Sequence, residues 1–392
     1  MHHYLKHAML AITMPALALL AALVPSWGLY GTLALIAYQV AVDMVTPREL
    51  TTPRYRFTWG VDALPCLHIP ASLFCLAMLM WRAAPGDLWG FGQWFDSQWG
   101  TSVAGQADHD SASALVATAL AIGFVMSTNT IAAHELVHRT TNRLAVVIGR
   151  WILAMVGDAQ YAITHVYVHH VAMGTPRDPS TARRGENLYA FALRSTLGQY
   201  RDAWAIETRR LHHHNRFMRL VKNKVISGLA MSALFALAFH AFAGLRGVAA
   251  YLLVAVTSKF LLEAVEYIQH YGLVRSPGGR IETRHSWDCT SRAACHIMFN
   301  LPRHAHHHVD ARAPYWALKP SADAPELPWG YVAHILMAMV PPLWQRFAAP
   351  RLARWDETMA NAAERELADC ANRESRHPAY AGMKAIAEAD RG

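Results

Sequence analysis

A chain of 392 residues with 53% hydrophobic but only 16% charged residues departs from a soluble globular domain, which usually carries about 25% charged residues. The mean hydropathy of +0.12 is modest for membrane spans alone and fits apolar spans joined to a sizeable polar portion. The formal net charge of +8 fits anionic lipid headgroups, and no Lys/Arg run interleaved with aromatics points to nucleic acid.

The first apolar run, residues 8–24, ends at Pro25, and a second, 27–43, follows almost at once. Two spans joined by a tight turn account for both runs, whereas a signal peptide accounts only for the first. Residues 45–60 are polar and carry Arg48, Arg54 and Arg56. Apolar runs at 63–81 and 112–133 flank an acidic stretch, 82–110, with Asp87, Asp96, Asp108 and Asp110. Residues 139–225 are mixed and basic, and the last long runs, 226–242 and 247–268, are separated by Gly244-Leu-Arg-Gly247. Each run is near the ~20 residues needed to cross a bilayer.

The expected fold is therefore all-α: an integral membrane bundle of about six transmembrane helices in a single domain, 1–392. A cytoplasmic, histidine-rich helical cap is expected from about 134–225 and 270–392. The Arg-bearing loop 45–60, the segment 139–225 and the tail after 270 fall on one side, which the positive-inside rule makes cytoplasmic, together with both termini, while the acidic stretch and the two tight turns fall on the other. In a bacterial-type cell this places the chain in the inner membrane as a multi-pass protein. Residues 332–343, interrupted by His334 and ended by Pro341-Pro342, read as a surface-lying helix. Residues 356–392 read as a charged, partly helical, solvated tail. The cysteines, Cys66, Cys75, Cys289, Cys295 and Cys370, form no C-x-x-C pair, so neither a disulfide framework nor a thiolate metal site is expected.

The histidines carry the chemistry. His134 and His138 are spaced i, i+4, which on a helix puts both imidazoles on one face. His165 and His169 repeat the spacing with His170 adjacent, and His304, His307 and His308 give i, i+3 and i+4. His270 stands alone in Gln269-His270-Tyr-Gly-Leu273. Neutral imidazole is the commonest biological metal ligand, and zinc normally takes four ligands. Three clusters and His270 therefore suggest two metals, and an all-nitrogen set suits iron, copper or zinc. His134-Glu135-Leu-Val-His138 also matches H-E-x-x-H, in which Glu135 would be the general base of a zinc protease, but that reading leaves the other clusters without a purpose. His2, His3 and His7 read as a solvated terminus, His212-His213-His214 as a charged patch, and His240, His296 and His334 as structural.

H-E-L-x-H-R, H-x-x-x-H-H, Q-H-Y-G-L and H-x-x-H-H, in this order, resemble the integral-membrane non-haem di-iron monooxygenases. These are the alkane 1-monooxygenases and the hydroxylase component of xylene and cymene monooxygenases, within the membrane fatty acid desaturase and hydroxylase superfamily. The resemblance runs from about Ile131 to Pro378 and includes Thr175-Pro-Arg-Asp-Pro179, Gly185-Glu-Asn-Leu-Tyr189, His285-Ser-Trp287 and Pro341-Pro-Leu-Trp344. Gln269 and Thr164 stand where the alkane enzymes typically or often have Glu, which favours the xylene and cymene branch. Glu266 replaces a usual Asn, and Arg284 replaces an acidic residue or His.

The resemblance implies two iron ions held by His134, His138, His165, His169, His170, His270, His304, His307 and His308. Glu263, His285 and Asp178 are expected around these ligands rather than among them. It also implies that O2 activated at the iron converts an unactivated C–H bond of a hydrophobic hydrocarbon, an alkyl aromatic or an alkane, into an alcohol. The chain has no Rossmann fingerprint, flavin motif or iron–sulfur cysteine set, so electrons are expected from a separate donor, a ferredoxin-type reductase or rubredoxin. The alternatives are a lipid desaturase or acyl hydroxylase of the same superfamily, and a non-catalytic membrane metal-binding protein.

Overall fold

The computed structural model describes residues 6–106 and 111–381, and every extended regular element among them is helical. Asp108 and Asp110 of the acidic stretch, His2 and His3, and the end of the tail lie outside the described residues.

Among the described residues, four helices are long and apolar enough to cross a membrane: Pro25–Val45, Thr58–Ala83, Ala112–His138 and Lys224–His270. Met9–Leu23 is a shorter apolar helix. All six expected runs are helical, but 226–242 and 247–268 fall on one 47-residue element. The break between them is Gly244, at φ 59 and ψ −154, a region that essentially only glycine enters. The third run begins earlier than expected, at Thr58, and passes through a 3-10 turn at Leu64–Leu67, where Pro65 has no N–H to bond. The fourth starts at a Ser111 cap, whose side chain accepts from the Ala114 N–H at 3.2 Å, and runs on through His138.

The chain forms two compact units. The first comprises Met1–Tyr38, Arg56–Ala162 and Glu207–Leu261. Its core joins Met14, Ala18, Leu79, Ile122, Met126, Phe239, Tyr251 and Val254. Small side chains let these helices approach closely, as in membrane bundles generally; a Cβ on Gly123 would lie 2.8 Å from Thr257. A buried polar clamp crosses the same core. Asn129 Oδ1 is 2.7 Å from His68 Nδ1, and its amide donates to Ser72 Oγ. His7 is also buried, contrary to the expectation of a solvated terminus.

The second unit comprises Gln39–Tyr55, Ile163–Ile206 and Leu262–Gly392. Its hub is the fully buried Arg184, whose guanidinium grips both Asp356 oxygens at 2.6 Å, Asn372 Oδ1 at 2.8 Å and the Gly272 carbonyl at 2.8 Å. Gly272 has φ +69, and a Cβ there would sit 2.5 Å from Leu352. The glycine of the Q-H-Y-G-L motif thus turns the chain sharply after His270. Arg184→Leu is expected to lower stability by about 3–5 kcal/mol, because it leaves Asp356 buried without its cation. Thermal unfolding in detergent measures this loss.

These contacts correct the reading of 356–392 as a solvated tail. Glu364, Ala368, Asn372 and Tyr380 are buried, and Tyr380 donates to Gln345 at 2.8 Å. The sequence shows an abundance of charge there, but Asp356, Glu364 and Asn372 point inward to partners more than 75 residues away. The 332–343 run is likewise not one surface helix. It divides into Tyr331–Ala338 and the start of Pro341–Thr358, and His334 is buried with Nδ1 3.0 Å from the Gly330 carbonyl.

Candidate metal centre

In the first unit, His134 and His138 occupy the last turn of Ala112–His138, with ring centroids 4.7 Å apart. This is the i, i+4 proximity expected from their spacing, with the rings meeting edge to face at 62°. Glu135 faces a different task from a protease base: its carboxylate takes two hydrogen bonds from Arg139, at 2.9 and 3.1 Å. Arg139 also donates to the Asp62 carbonyl at 2.8 Å. The H-E-x-x-H-R stretch here closes a helix end with an internal ion pair.

In the second unit, seven histidines gather into two groups. His169, His270, His304 and His308 form one, with ligand atoms within 4.8 Å of one another and all four buried. His165, His170 and His307 form the other, their ligand atoms likewise within 4.8 Å of one another. Within the first group, His304 Nε2 is 3.0 Å from His270 Nε2 and 3.1 Å from His308 Nε2. Within the second, His170 Nε2 is 3.2 Å from His165 Nε2 and 3.1 Å from His307 Nε2.

These separations test the fit to a metal. Two imidazole nitrogens about 2.0–2.1 Å from one ion stand roughly 3.0 Å apart at a right angle and ~3.4 Å at a tetrahedral angle. A ring nitrogen carries either a proton or a lone pair, so three converging nitrogens are satisfied together by one cation. His169 adds a second test. Its Nδ1 is 2.8 Å from Asp178 Oδ2, while its buried Nε2 has no hydrogen-bond partner. That is the arrangement in which a carboxylate fixes the tautomer and leaves the other nitrogen for a metal. The donor set fits two borderline transition-metal ions.

The local backbone explains the grouping and differs from the helical reading of H-x-x-x-H-H. Residues His165–His169 form a π-helical turn. Such a turn bonds i to i+5 and is frequent at functional sites. It brings His165 beside His170 and sends His169 to the other group. The second cluster splits in a parallel way: His304 and His308, one α-turn apart, go to one group, and His307 goes to the other. His306 lies outside both groups. Arg303 and Asp288 secure this short helix. Arg303 donates to the carbonyls of Thr51, Leu318 and Glu49, and Asp288 Oδ1 accepts from the Ala305 N–H at 2.8 Å. Burial drives the Asp288 carboxyl pKa up to about 7, against the pull of its hydrogen bonds and of Arg303.

Of the three residues expected around the ligands, Asp178 lies directly on His169. It also accepts from Thr181 Oγ1 at 2.7 Å and the Ser180 N–H at 3.0 Å, so it both forms the Pro-flanked turn and orients the imidazole. Burial opposes protonation of His169, but Asp178, with Glu266 and Glu263 behind it, outweighs burial and raises its pKa. Glu263 Oε1 accepts from Gln199 at 2.9 Å. Glu266, the departure from the family's Asn, lies 3.5 Å from His165 Nδ1.

His285 is buried with both nitrogens engaged. Nδ1 accepts from the Glu282 N–H at 3.0 Å, and Nε2 donates to Glu364 at 2.8 Å. Burial outweighs the attraction of Glu364 and lowers its pKa, which keeps the ring neutral. Glu364 went unnoticed in the sequence, although Asn361-x-x-Glu364 is a capping box, with both reciprocal bonds at 3.0 Å. Burial raises the Glu364 carboxyl pKa, but bonds from Arg284, the Asn361 N–H and His285 outweigh it and hold it low. A depressed carboxyl pKa contributes stability above about pH 4.3, the unfolded value, and loses it as pH falls through the folded value. Glu364→Gln is therefore expected to lower stability by about 1.5–3 kcal/mol at pH 7. The gap between the two melting temperatures should narrow progressively as pH falls below about 4.3, the unfolded value.

The apolar helices of bilayer length and the two histidine groups suit a membrane protein able to hold metal ions. The sequence pattern of the fatty acid desaturase family matches residues 111–336. The alkane 1-monooxygenase 2 of Alcanivorax borkumensis is 32% identical over 60% of this chain and 65% of its own length. The xylene/toluene monooxygenase hydroxylase component of Pseudomonas putida is 32% identical over 63% of this chain and 67% of its own. The alkane 1-monooxygenase of Pseudomonas putida is 27% identical over 83% and 77%. The chain belongs to the fatty acid desaturase family and, within that superfamily, to the group of the alkane and xylene monooxygenases. The match spans just under two thirds of the first of these relatives.

Proposed function

We propose that the chain is a membrane di-iron monooxygenase that hydroxylates a methyl or terminal C–H of a hydrophobic hydrocarbon. The observation that carries this reading is the convergence of seven buried or half-buried imidazoles into two groups in the second unit. His169, His270, His304 and His308 would hold one iron. His165, His170 and His307 would hold the other, and the resemblance adds His134 and His138 to the iron ligands. Bound iron would supply O2 activation and the oxidising power for an unactivated C–H bond.

The chain's own residues then have defined tasks. Asp178 keeps the His169 proton on Nδ1 and its Nε2 bare for the metal. Glu266 offers His165 a carboxylate at 3.5 Å. Asp288 and Arg303 fix the helix that carries His304, His307 and His308. Burial of the four-histidine group excludes water from an oxidising centre.

The membrane arrangement belongs to the same proposal. Six spans, made of Met9–Leu23, three further helices and the two segments either side of Gly244, would place the histidine-rich segments on the cytoplasmic side of the inner membrane. A hydrocarbon dissolved in lipid would enter laterally, and electrons would come from a separate ferredoxin-type reductase or rubredoxin. Conversion of p-xylene, p-cymene and octane by whole cells expressing the chain and each donor tests the reading. Alcohols of one or more of these hydrocarbons are expected. Acyl-chain double bonds with no hydrocarbon alcohol would instead make the chain a lipid desaturase.

A further inference from the structure

We propose that residues 209–224 form a membrane-surface anchor that selects anionic phospholipid headgroups. The stretch contains Arg209, Arg210, Arg216, Arg219, Lys222 and Lys224, and no acidic residue occurs between Glu207 and Glu263. Glu207 itself is buried and neutralised internally, accepting from Arg210 at 2.6 and 2.8 Å and from the Lys224 N–H at 2.7 Å. The remaining charge is therefore uncompensated and exposed: Arg209, Arg216, Arg219 and Lys222 all face solvent.

The apolar residues follow a complementary pattern. Phe217, Leu220 and Val221 on the short helix Arg216–Val221 are 70%, 56% and 58% exposed. Their i, i+3, i+4 spacing places them on one face, while Arg216 and Arg219 share another. Arg219 donates to the His214 carbonyl at 2.8 Å and to the His212 carbonyl, which ties the exposed triple-histidine turn to this helix. The apolar span Lys224–His270 begins two residues after Lys222. A soluble partner would have to cover three exposed apolar side chains beside the bilayer. A bilayer interface accommodates them directly, with Phe217, Leu220 and Val221 at the acyl boundary and the cations at phosphate.

The inference rests on the membrane reading of the Lys224–His270 helix and is independent of the reaction. Native mass spectrometry of the detergent-solubilised full chain, titrated with phosphatidylglycerol or phosphatidylcholine, tests it, with hydrocarbon conversion measured in parallel. Phosphatidylglycerol is expected to bind more tightly. The triple variant Arg209→Gln/Arg216→Gln/Lys222→Gln should lose phosphatidylglycerol affinity by about fivefold per charge removed, with phosphatidylcholine affinity unchanged. Arg209→Lys/Arg216→Lys should keep the preference, and Phe217→Ser/Leu220→Ser should weaken both lipids. Equal affinity of the wild type for the two lipids overturns the proposal. So does a triple variant that keeps its lipid preference but loses turnover with an acidic electron carrier, since the surface would then serve the carrier.

Discussion

Replacing His304 with alanine is expected to reduce bound iron from two ions per chain to about one or fewer and to bring turnover below ~1% of wild type. His304 Nε2 is the atom on which its group converges, 3.0 Å from His270 Nε2 and 3.1 Å from His308 Nε2. Loss of a ligand should exceed the 10–100-fold effect typical of losing a ligand's supporting partner. His170→Ala should act in the same way on the other group, where His170 Nε2 links His165 and His307. Metal analysis of each purified variant measures the loss directly. Full iron content in either variant would remove that histidine from the proposed set. The zinc-protease alternative makes the opposite forecast: only His134, Glu135 and His138 would matter.

The second large effect is expected at Asp178. Asp178→Asn keeps an acceptor for the Ser180 N–H but replaces Oδ2, which faces both the Thr181 hydroxyl and His169 Nδ1, and removes the negative charge there. Metal affinity should fall by about 10–100-fold, with the turn intact and little change in melting temperature of the metal-free protein. Competition with a chelator of known affinity gives the number. A variant that unfolds without losing metal affinity in its folded fraction would assign Asp178 to the turn alone.

The helical segments and the histidine clusters were legible because both depend on local spacing. Apolar runs of bilayer length mark spans wherever they occur, and His134 and His138 lie on one face as a helical i, i+4 pair must. The division of His165, His169 and His170 between two groups was not legible. The spacing describes an α-turn, whereas the chain adopts a π-turn that nothing in the apolar pattern encodes. The link between Asp178 and His169 spans only nine residues, but the Thr175-Pro-Arg-Asp-Pro179 turn reads equally well as a cap alone. Arg184, Glu364 and Asn372 were beyond reach for another reason. They are charged or polar residues that look solvated in sequence and gain buried partners only through contacts across 79 to 188 residues. The Gly244 break lay within the expected turn, but the continuity of helix around it did not follow from glycine content.

The most direct test of the two-metal claim is the metal content of the wild-type chain purified from membranes under anaerobic conditions. The account predicts two iron ions per chain, removed together with activity by a ferrous chelator and restored together on adding ferrous iron. One zinc ion per chain, with activity untouched by iron removal, would contradict it.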